Sequence, residues 1–555
     1  MTDERLVLGV NRTVDASVCL LGSESFLCST QKERLTRGKH DCGALGDVAD
    51  LYTKRVPGLD RPVDVVVECY SSDIQAQHLE YYQAELKEVL KFRDRPRIIQ
   101  ISHHLSHVYS SYFLSPFEES AVMVLDFQGS HVKDFTESWK TLGPEFGTWL
   151  EVGSFYRAGP GGVACLDKQI WDGDRRRPVG LGCFYNYLTT TVFPGLGNEG
   201  KIMGLAPFGD PDRLGLPPLI VEGPNVTFPD EWKKVLRNRS RFGHFRDGSG
   251  SFEECADFAA AGQRCFEDAL LKIADWLYEE TKLKNLCFAG GTALNCVANG
   301  RLLRESKFEN IFVPPSPHDG GTALGCAVYG MREVLGLERD LQWVNDFTGP
   351  EPCLAGLEST VRDEGLELER PPVMIDAMVD LLERGNVVAL FQGRSELGPR
   401  ALGHRSILAD PRSPDIKSRI NKCIKGREWF RPLAPAALEE TAGRYFDIDR
   451  PVRFMQFAVD VRQEWRPLLP AITHTDGTAR LQTVGPRDDE FFHSLLKAFE
   501  ARTGVGVLLN TSFNGKDEPI VETYAEAIRC FKSKDIDALA VPPFLIRRRP
   551  QDSSA

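Results

Sequence analysis

Short apolar runs bounded by turn residues alternate along most of this chain with stretches whose apolar positions recur every three or four residues. Strand-like runs stand at Val63–Glu68, Arg97–Ser102, Ala121–Phe127, Leu286–Ala289 and Asn310–Val313. Ahead of the fourth, Phe266, Leu270, Ile273 and Leu277 repeat at intervals that lay one apolar stripe along a helix. Strands alternating with helices specify an α/β architecture, because the helices cover the sheet faces that the strands leave apolar. Residues 6–21, LVLGVNRTVDASVCLL, place two apolar runs around a polar turn and predict a hairpin with Asp15 and Ser17 beside it.

The chain has 555 residues, more than one core supports, and at roughly 150 residues per domain it should form about two to four units. The segment 338–373, with Thr348-Gly349-Pro350, Pro352 and Pro371-Pro372, is the expected boundary. It separates a unit over 1–345 from one over 370–550. Beyond it a helix at Ile375–Arg384 should stop on Gly385, followed by a strand at Asn386–Phe391. A strand at Gly504–Asn510 and a helix capped by Thr523, with Glu526 at the capping-box position, come later. The sequence shows no repeat and no low-complexity tract, and the polar tail from Arg547 should fray.

A formal net charge of −12 argues against general nucleic-acid affinity, so any basic site must be local. No apolar run reaches the roughly 18 residues of a membrane-spanning helix. The start, Met-Thr-Asp-Glu-Arg, does not read as a signal peptide. Fourteen cysteines lie scattered without a C-x-x-C pair, which predicts reduced thiols and a cytoplasmic compartment.

Phe391 to Pro435 is the strongest local concentration of positive charge. Arg394, Arg400, Arg405, Arg412, Lys425, Arg427 and Arg431 are interrupted by Gly393, Gly398, Pro399 and Gly403, and no helical face repeats. A solvated basic surface is the common reading of a charge run. Guanidinium forks on a turn-rich backbone instead suit a phosphate-bearing ligand.

A second constellation starts from His-His-Leu-Ser-His at 103–107. On a helix, His103 and His107 share one face at the spacing at which two imidazoles bind one metal. Asp126 ends the strand-like run Ala121–Leu125, and Asp319 sits in Pro-His-Asp-Gly-Gly. Two histidines and two carboxylates suit Fe, Mn, Zn or Mg. Three glycine turns, at Asn198–Gly204, Gly290–Asn295 and Asp319–Gly321, let backbone approach a phosphate or sugar, though none matches a Walker loop or a G-x-G-x-x-G fingerprint. Together they point to a nucleotide cleft.

These residues resemble the O-carbamoyltransferases of the NodU/CmcH type. The resemblance runs through His-His-x-x-His, Glu-Gly-Lys-x-Met-Gly-Leu-Ala-Pro, Gly-Gly-x-Ala-Leu-Asn, Gly-Pro-Arg-Ala-Leu-Gly-x-Arg-Ser, Lys-x-Arg-Glu-x-Phe-Arg-Pro, Asp-Gly-Thr-Ala-Arg and Asn-Thr-Ser-Phe-Asn. It implies an actin/sugar-kinase-like N-terminal ATPase domain fused to a YrdC-like α/β C-terminal domain. It further implies that carbamoyl phosphate and ATP form carbamoyl-adenylate at the C-terminal site, and that a metal site then passes the carbamoyl group to a hydroxyl of a natural product, an antibiotic or its sugar. By motif match, His103, His107, Asp126 and Asp319 hold the metal, iron above all. Lys201, Gly204, Gly290, Gly291, Asn295 and Gly320 line one nucleotide site. Arg394, Gly398, Arg400, Arg405, Ser406, Lys425, Arg431, Arg480, Asn510 and Ser512 serve carbamoyl phosphate and nucleotide, with Lys425 and Arg431 acting in catalysis. Asp15 or Asp210 receives the acceptor's proton. Partners are a small hydroxyl acceptor, no nucleic acid and no membrane, with a homodimer left open.

Three positions depart from the pattern. Asp126-Phe-Gln-Gly-Ser130 replaces Asp-Gly-x-Gly-Glu, so Phe127 stands where relatives have no side chain. Val14 replaces a histidine, which points to a less polar acceptor than an aminoglycoside, and Asn198 replaces a glycine. Two other readings remain at this level: a tRNA-modifying threonylcarbamoyl transferase, which the acidic charge disfavours, and a non-catalytic scaffold that binds nucleotide or carbamoyl phosphate.

Overall fold

The computed structural model describes residues 4–70, 78–195, 197–338, 341 and 343–549. The chain packs as two bodies: Met1–Glu33 with His40–Trp343, and Arg34–Lys39 with Val344–Ala555. The main division falls inside the loop-rich span 338–373. The six residues Arg34–Lys39 go with the second body, although they lie in the first tenth of the sequence.

The first body contains two five-stranded sheets. β1 (Leu6–Asn11), β2 (Ser17–Gly22) and β3 (Phe26–Gln31) form an antiparallel meander, and β4 (Val65–Tyr70) and β5 (Ile98–Ser102) extend it in parallel from β1. In the second sheet β6 (Ser120–Leu125), β7 (Leu150–Gly159) and β8 (Gly162–Trp171) form the meander. A small hairpin, β9 (Ile220–Glu222) with β10 (Asn225–Thr227), lies apart. β11 (Asn285–Ala289) and β12 (Asn310–Phe312) then extend the sheet in parallel from β6. The two strand orders, β3-β2-β1-β4-β5 and β8-β7-β6-β11-β12, are therefore the same. This repeat is absent from the sequence, because topology answers to apolar patterning and many side chains satisfy one pattern. β1, β2, β4 and β6 are buried along their whole length, so they read as near-continuous apolar runs.

The expected hairpin at 6–21 forms, with Asp15 in its turn. The run read as Ala121–Phe127 stops as a strand at Leu125, and Asp126 and Phe127 turn away from it. β5 leads straight into the helix His103–Tyr109, whose residues are all buried. That helix packs on Thr322–Tyr329, which follows β12. At their contact is Gly325, where a Cβ would lie 1.9 Å from the Ser106 carbonyl oxygen. Only glycine allows that approach.

The second body is built on one mixed eight-stranded sheet. Its strands are β13 (Leu366–Glu369), β14 (Val388–Phe391), β15 (Arg405–Ala409), β16 (Ala434–Leu438), β19 (Gln482–Val484), β20 (Val507–Ser512), β21 (Ala538–Val541) and β22 (Phe544–Arg548). Their order is β13-β22-β21-β14-β15-β20-β16-β19, while β17 (Ala458–Asp460) pairs with β18 (Thr478–Arg480) separately. Helices Met374–Glu383 and Glu490–Thr503 close the core through Met378, Leu382, Phe492, Leu496 and Phe499. The strand expected from Asn386 starts at Val388, because Gly385 at φ 81° ends the helix and Asn386 Nδ2 bonds the Leu381 carbonyl. Likewise Gly504, at φ 76°, caps Glu490–Thr503 and delays β20 to Val507. The Thr523–Glu526 capping box forms as read.

All fourteen cysteines are free thiols. Among the described residues no helix is long and apolar enough to cross a membrane.

Candidate functional site

In the first body, His103 and His107 point from one helix face toward Asp126 at the end of β6 and Asp319 in the turn after β12. The two Nε2 atoms are 3.2 Å apart. Asp126 Oδ2 lies 3.3 Å from His107 Nε2 and 3.9 Å from His103 Nε2; Asp319 Oδ1 lies 3.4 Å from His103 and 3.8 Å from His107. All four ligand atoms fall within 4.8 Å of one another. With metal–ligand bonds of about 2.1 Å, donor atoms around one ion stand about 3.0–3.4 Å apart, so these four fit a divalent cation after small adjustments.

The remaining oxygens are committed. Asp126 Oδ1 accepts the Phe127 N–H at 2.7 Å, and Asp319 Oδ2 accepts the Thr13 hydroxyl at 2.9 Å. Each carboxylate thereby presents its other oxygen to the histidines. Burial disfavours charge on His103, but Asp319 and Asp126 outweigh it and hold its pKa well above the usual range. Burial likewise opposes the Asp126 anion, and hydrogen bonds from His103 and His107 pull its pKa well below the ordinary value. The pocket calls for positive charge.

Asp15, at φ 55°, adjoins this centre. Its Oδ1 lies 2.8 Å from His40 Nδ1 and its Oδ2 3.7 Å from His318 Nε2, next to Asp319. Asn11 Nδ2 donates to the backbone oxygens of both Asp15 and Asp319. Asp210 is not in this group: it is exposed, and its carboxylate is 3.9 Å from Arg213.

Among the glycine-turn residues, Gly291 N–H donates to Asp126 Oδ2 at 3.2 Å, and Gly290 holds φ 91° against Leu125. Gly320 abuts Gln31 and His318. Asn295 caps the helix Cys296–Glu305 and pairs with Gln263. Lys201 and Gly204 lie on the helix Glu199–Leu205, where Lys201 Nζ is 5.4 Å from the Phe193 ring, and Met203 of that helix touches Cys296.

The second body gathers cations. Lys425 is buried and bonds neutral acceptors, Ser512 Oγ at 3.2 Å, Asn514 Oδ1 at 2.6 Å and the Ser512 and Asn514 carbonyls. Burial above all, then Arg427, Lys39 and Arg431, drives its pKa well below that of a free lysine. Burial and then Arg431 and Arg480 pull Arg427 down to about 9. Arg431 is lowered by burial and Arg480 despite Glu428 at 3.7 Å, and Lys417 by burial and Arg427. Buried cations so close together, with their charged forms disfavoured, suit anionic groups.

The other predicted residues divide. Ser512 joins Lys425. Asn510 ties Ala401 to Gln482 by its amide and keeps its Oδ1 buried without a hydrogen-bond partner. Arg394 bonds the Thr348 and Gly349 carbonyls. Arg405 is buried over the Phe391 ring and bonds four carbonyls, and Ser406 Oγ accepts the Gly403 N–H. Gly398 bonds Asp346 and Arg34, and Arg400 is half-buried on the same loop. Sequence reasoning missed Lys417 and Lys39. Neither has a motif, and Lys39 reaches the cluster only because its segment packs into the second body.

Known proteins bear on both bodies. The family profile described as Carbamoyltransferase N-terminus matches residues 51–328, and that described as Carbamoyltransferase C-terminus matches 379–548. Nodulation protein NolO of Bradyrhizobium diazoefficiens is 37% identical over 82% of this chain and 81% of its own. The 3'-hydroxymethylcephem-O-carbamoyltransferase of Amycolatopsis lactamdurans is 29% identical over 95% of this chain and 96% of its own. A Synechocystis protein, sll1178, is 32% identical over 98% of this chain and 97% of its own. Among solved structures, HypF of T. kodakarensis gives a TM-score of 0.35 at 14% identity, over 61% of this chain and 48% of that one, too slight a likeness to carry an argument. With both profiles matched in order and relatives aligned along most of its length, the chain belongs to the carbamoyltransferase family, as an O-carbamoyltransferase of the NodU/CmcH type.

Proposed function

We propose that this carbamoyltransferase works in two half-reactions. At the cations of the second body, carbamoyl phosphate, ATP and water become carbamoyl-adenylate, phosphate and pyrophosphate. At the histidine–aspartate centre of the first body, the carbamoyl carbon bonds to a hydroxyl oxygen of a small natural product and AMP leaves. The observation that carries this reading is the cluster of Lys425, Arg427, Arg431 and Lys417, where Lys425 Nζ is held by the neutral acceptors of Ser512 and Asn514. Burial first, then neighbouring cations, lower the pKa values there, which bound phosphates would raise. The duplicated sheet order supports an actin/sugar-kinase-like first body; the second we read as a YrdC-like body, on the phosphate chemistry its buried cations suit.

His103, His107, Asp126 and Asp319 would hold the divalent ion, iron before manganese, zinc or magnesium. Such an ion supplies Lewis acidity toward the carbamoyl oxygen. Asp15, steadied by His40, takes up the acceptor's proton, a role for which exposed Asp210 is badly placed. Exposed Val14 offers the acceptor an apolar contact in the same turn. The test is pyrophosphate release by the full chain with ATP, with and without carbamoyl phosphate. Release that depends on carbamoyl phosphate, with an AMP-linked carbamoyl species trapped, supports the reading; ATP consumption without that species refutes it. Labelled tRNA in the same assay should stay uncarbamoylated.

A further inference from the structure

The helix His103–Tyr109 turns His103 and His107 toward the carboxylates, while its start is tied to a buried polar cluster that the proposed chemistry leaves unused. Lys168 on β8 is fully enclosed there. Its Nζ is 2.5 Å from Glu151 Oε2, 2.7 Å from Glu137 Oε1, 3.0 Å from Ser154 Oγ and 3.1 Å from Tyr156 OH, and sits 4.3 Å from the Phe135 ring centre. Burial opposes the ammonium charge, yet Glu151 and Glu137 outweigh it and raise the pKa above that of an exposed lysine.

Glu151 has a second task. Its Oε1 accepts the backbone N–H of His104 at 3.0 Å and of Ser130 at 3.1 Å, while Ser130 Oγ accepts the N–H of His103 at 2.8 Å. Two of the N–H groups that a helix start leaves open are thereby closed by side chains anchored to Lys168 or to its partner. The middle histidine of the motif, His104, faces this cluster rather than the carboxylates, with Nδ1 2.7 Å from Ser154 Oγ. Gly129 makes the room: a Cβ there would lie 2.7 Å from Glu151 Cγ and 2.9 Å from His104 Cδ2.

A buried ion pair that only adds stability can be replaced by apolar groups of the same size. This one is bonded through Glu151 to the backbone between two metal-ligand positions. We infer that Lys168 is a positioning residue of the metal centre, holding Glu151 so that the start of the helix aims His103 and His107 at Asp126 and Asp319. The inference rests on the proposal that these four side chains bind a divalent ion.

The experiment titrates metal-free full-length protein with cobalt(II), following its visible absorption, for the parent chain and for Lys168→Met, Lys168→Arg and Glu151→Gln. Lys168→Met should bind cobalt about 10–100-fold more weakly, the range for residues that orient metal ligands from behind, with an altered spectrum. Lys168→Arg should recover part of the affinity, and Glu151→Gln should lose less than Lys168→Met. Carbamoyl-phosphate-dependent pyrophosphate release, assigned to the other body, should stay at the parent rate, and near-ultraviolet circular dichroism reports whether the mutated body is folded. Parent affinity and spectrum in folded Lys168→Met would overturn the inference. Should Lys168→Met fail to fold, parent affinity in Glu151→Gln overturns it in the same way. A parent chain that binds no cobalt overturns the metal proposal itself, a different result from a parent that binds and variants that match it.

Discussion

Arg431 is half-buried, 3.7 Å from Glu428, and burial and then Arg480 lower its pKa. A fixed cation against a developing negative charge in such a place is worth about 3–4 kcal/mol. Arg431→Ala should therefore cut carbamoyl-phosphate-dependent pyrophosphate release by at least about 100-fold. His107→Ala should leave that release intact and stop carbamoyl transfer, measured with preformed carbamoyl-adenylate. Loss of the same half-reaction in both variants would defeat the division of labour. Lys425 adds a pH signature. Burial and then neighbouring cations hold its pKa well below the ordinary value, and a bound phosphate would favour the ammonium and lift it. Binding should take up a proton at pH values between the two, and affinity should fall as pH rises through that window. Calorimetry with carbamoyl phosphate in buffers of different ionisation heat would show it, and Lys425→Met should remove the buffer dependence. At this scale the sequence was informative where spacing carries chemistry: His103 and His107 are one helical turn apart. It was silent on Lys417, Lys39 and Glu151, which act by proximity that only tertiary packing creates.

Elements are positioned by what their contacts exclude. The helix carrying the histidines and Thr322–Tyr329 meet where Gly325 leaves no room for a side chain. Gly325→Ala forces the two apart and should cost about 1–3 kcal/mol of stability, as overpacking does. Thermal unfolding would measure that cost, and cobalt titration should show weaker binding, because both His107 and Asp319 move with these elements. An unchanged midpoint and affinity would show that the contact is soft. Element types were legible from periodicity and capping residues, as at Thr523 and Glu526. Ends were less so: Asn386 has a side chain that can close a helix as easily as begin a strand, and here it closes the helix.

Across the molecule, the main division falls within the proline- and glycine-rich span near 350, whereas the repeated strand order and the placement of Arg34–Lys39 leave no mark in the sequence. Arg37 donates to the Pro519 and Ile520 carbonyls, Arg34 to Gly398, and Lys39 sits in range of Lys425. A fragment of residues 344–555 lacks these contacts and one of the cations. It should unfold at lower temperature than the full chain and bind carbamoyl phosphate more weakly, by differential scanning calorimetry and isothermal titration. Equal values would make the segment incidental.

Those six residues also limit how the gene can be recombined. A chimera that takes its carboxyl-terminal half from a relative inherits a foreign body still threaded by the original amino-terminal sequence, and must import the relative's equivalents of positions 34–39 to match it. Inheritance of the two halves is thereby coupled, even though their long stretches lie on opposite sides of a clear seam.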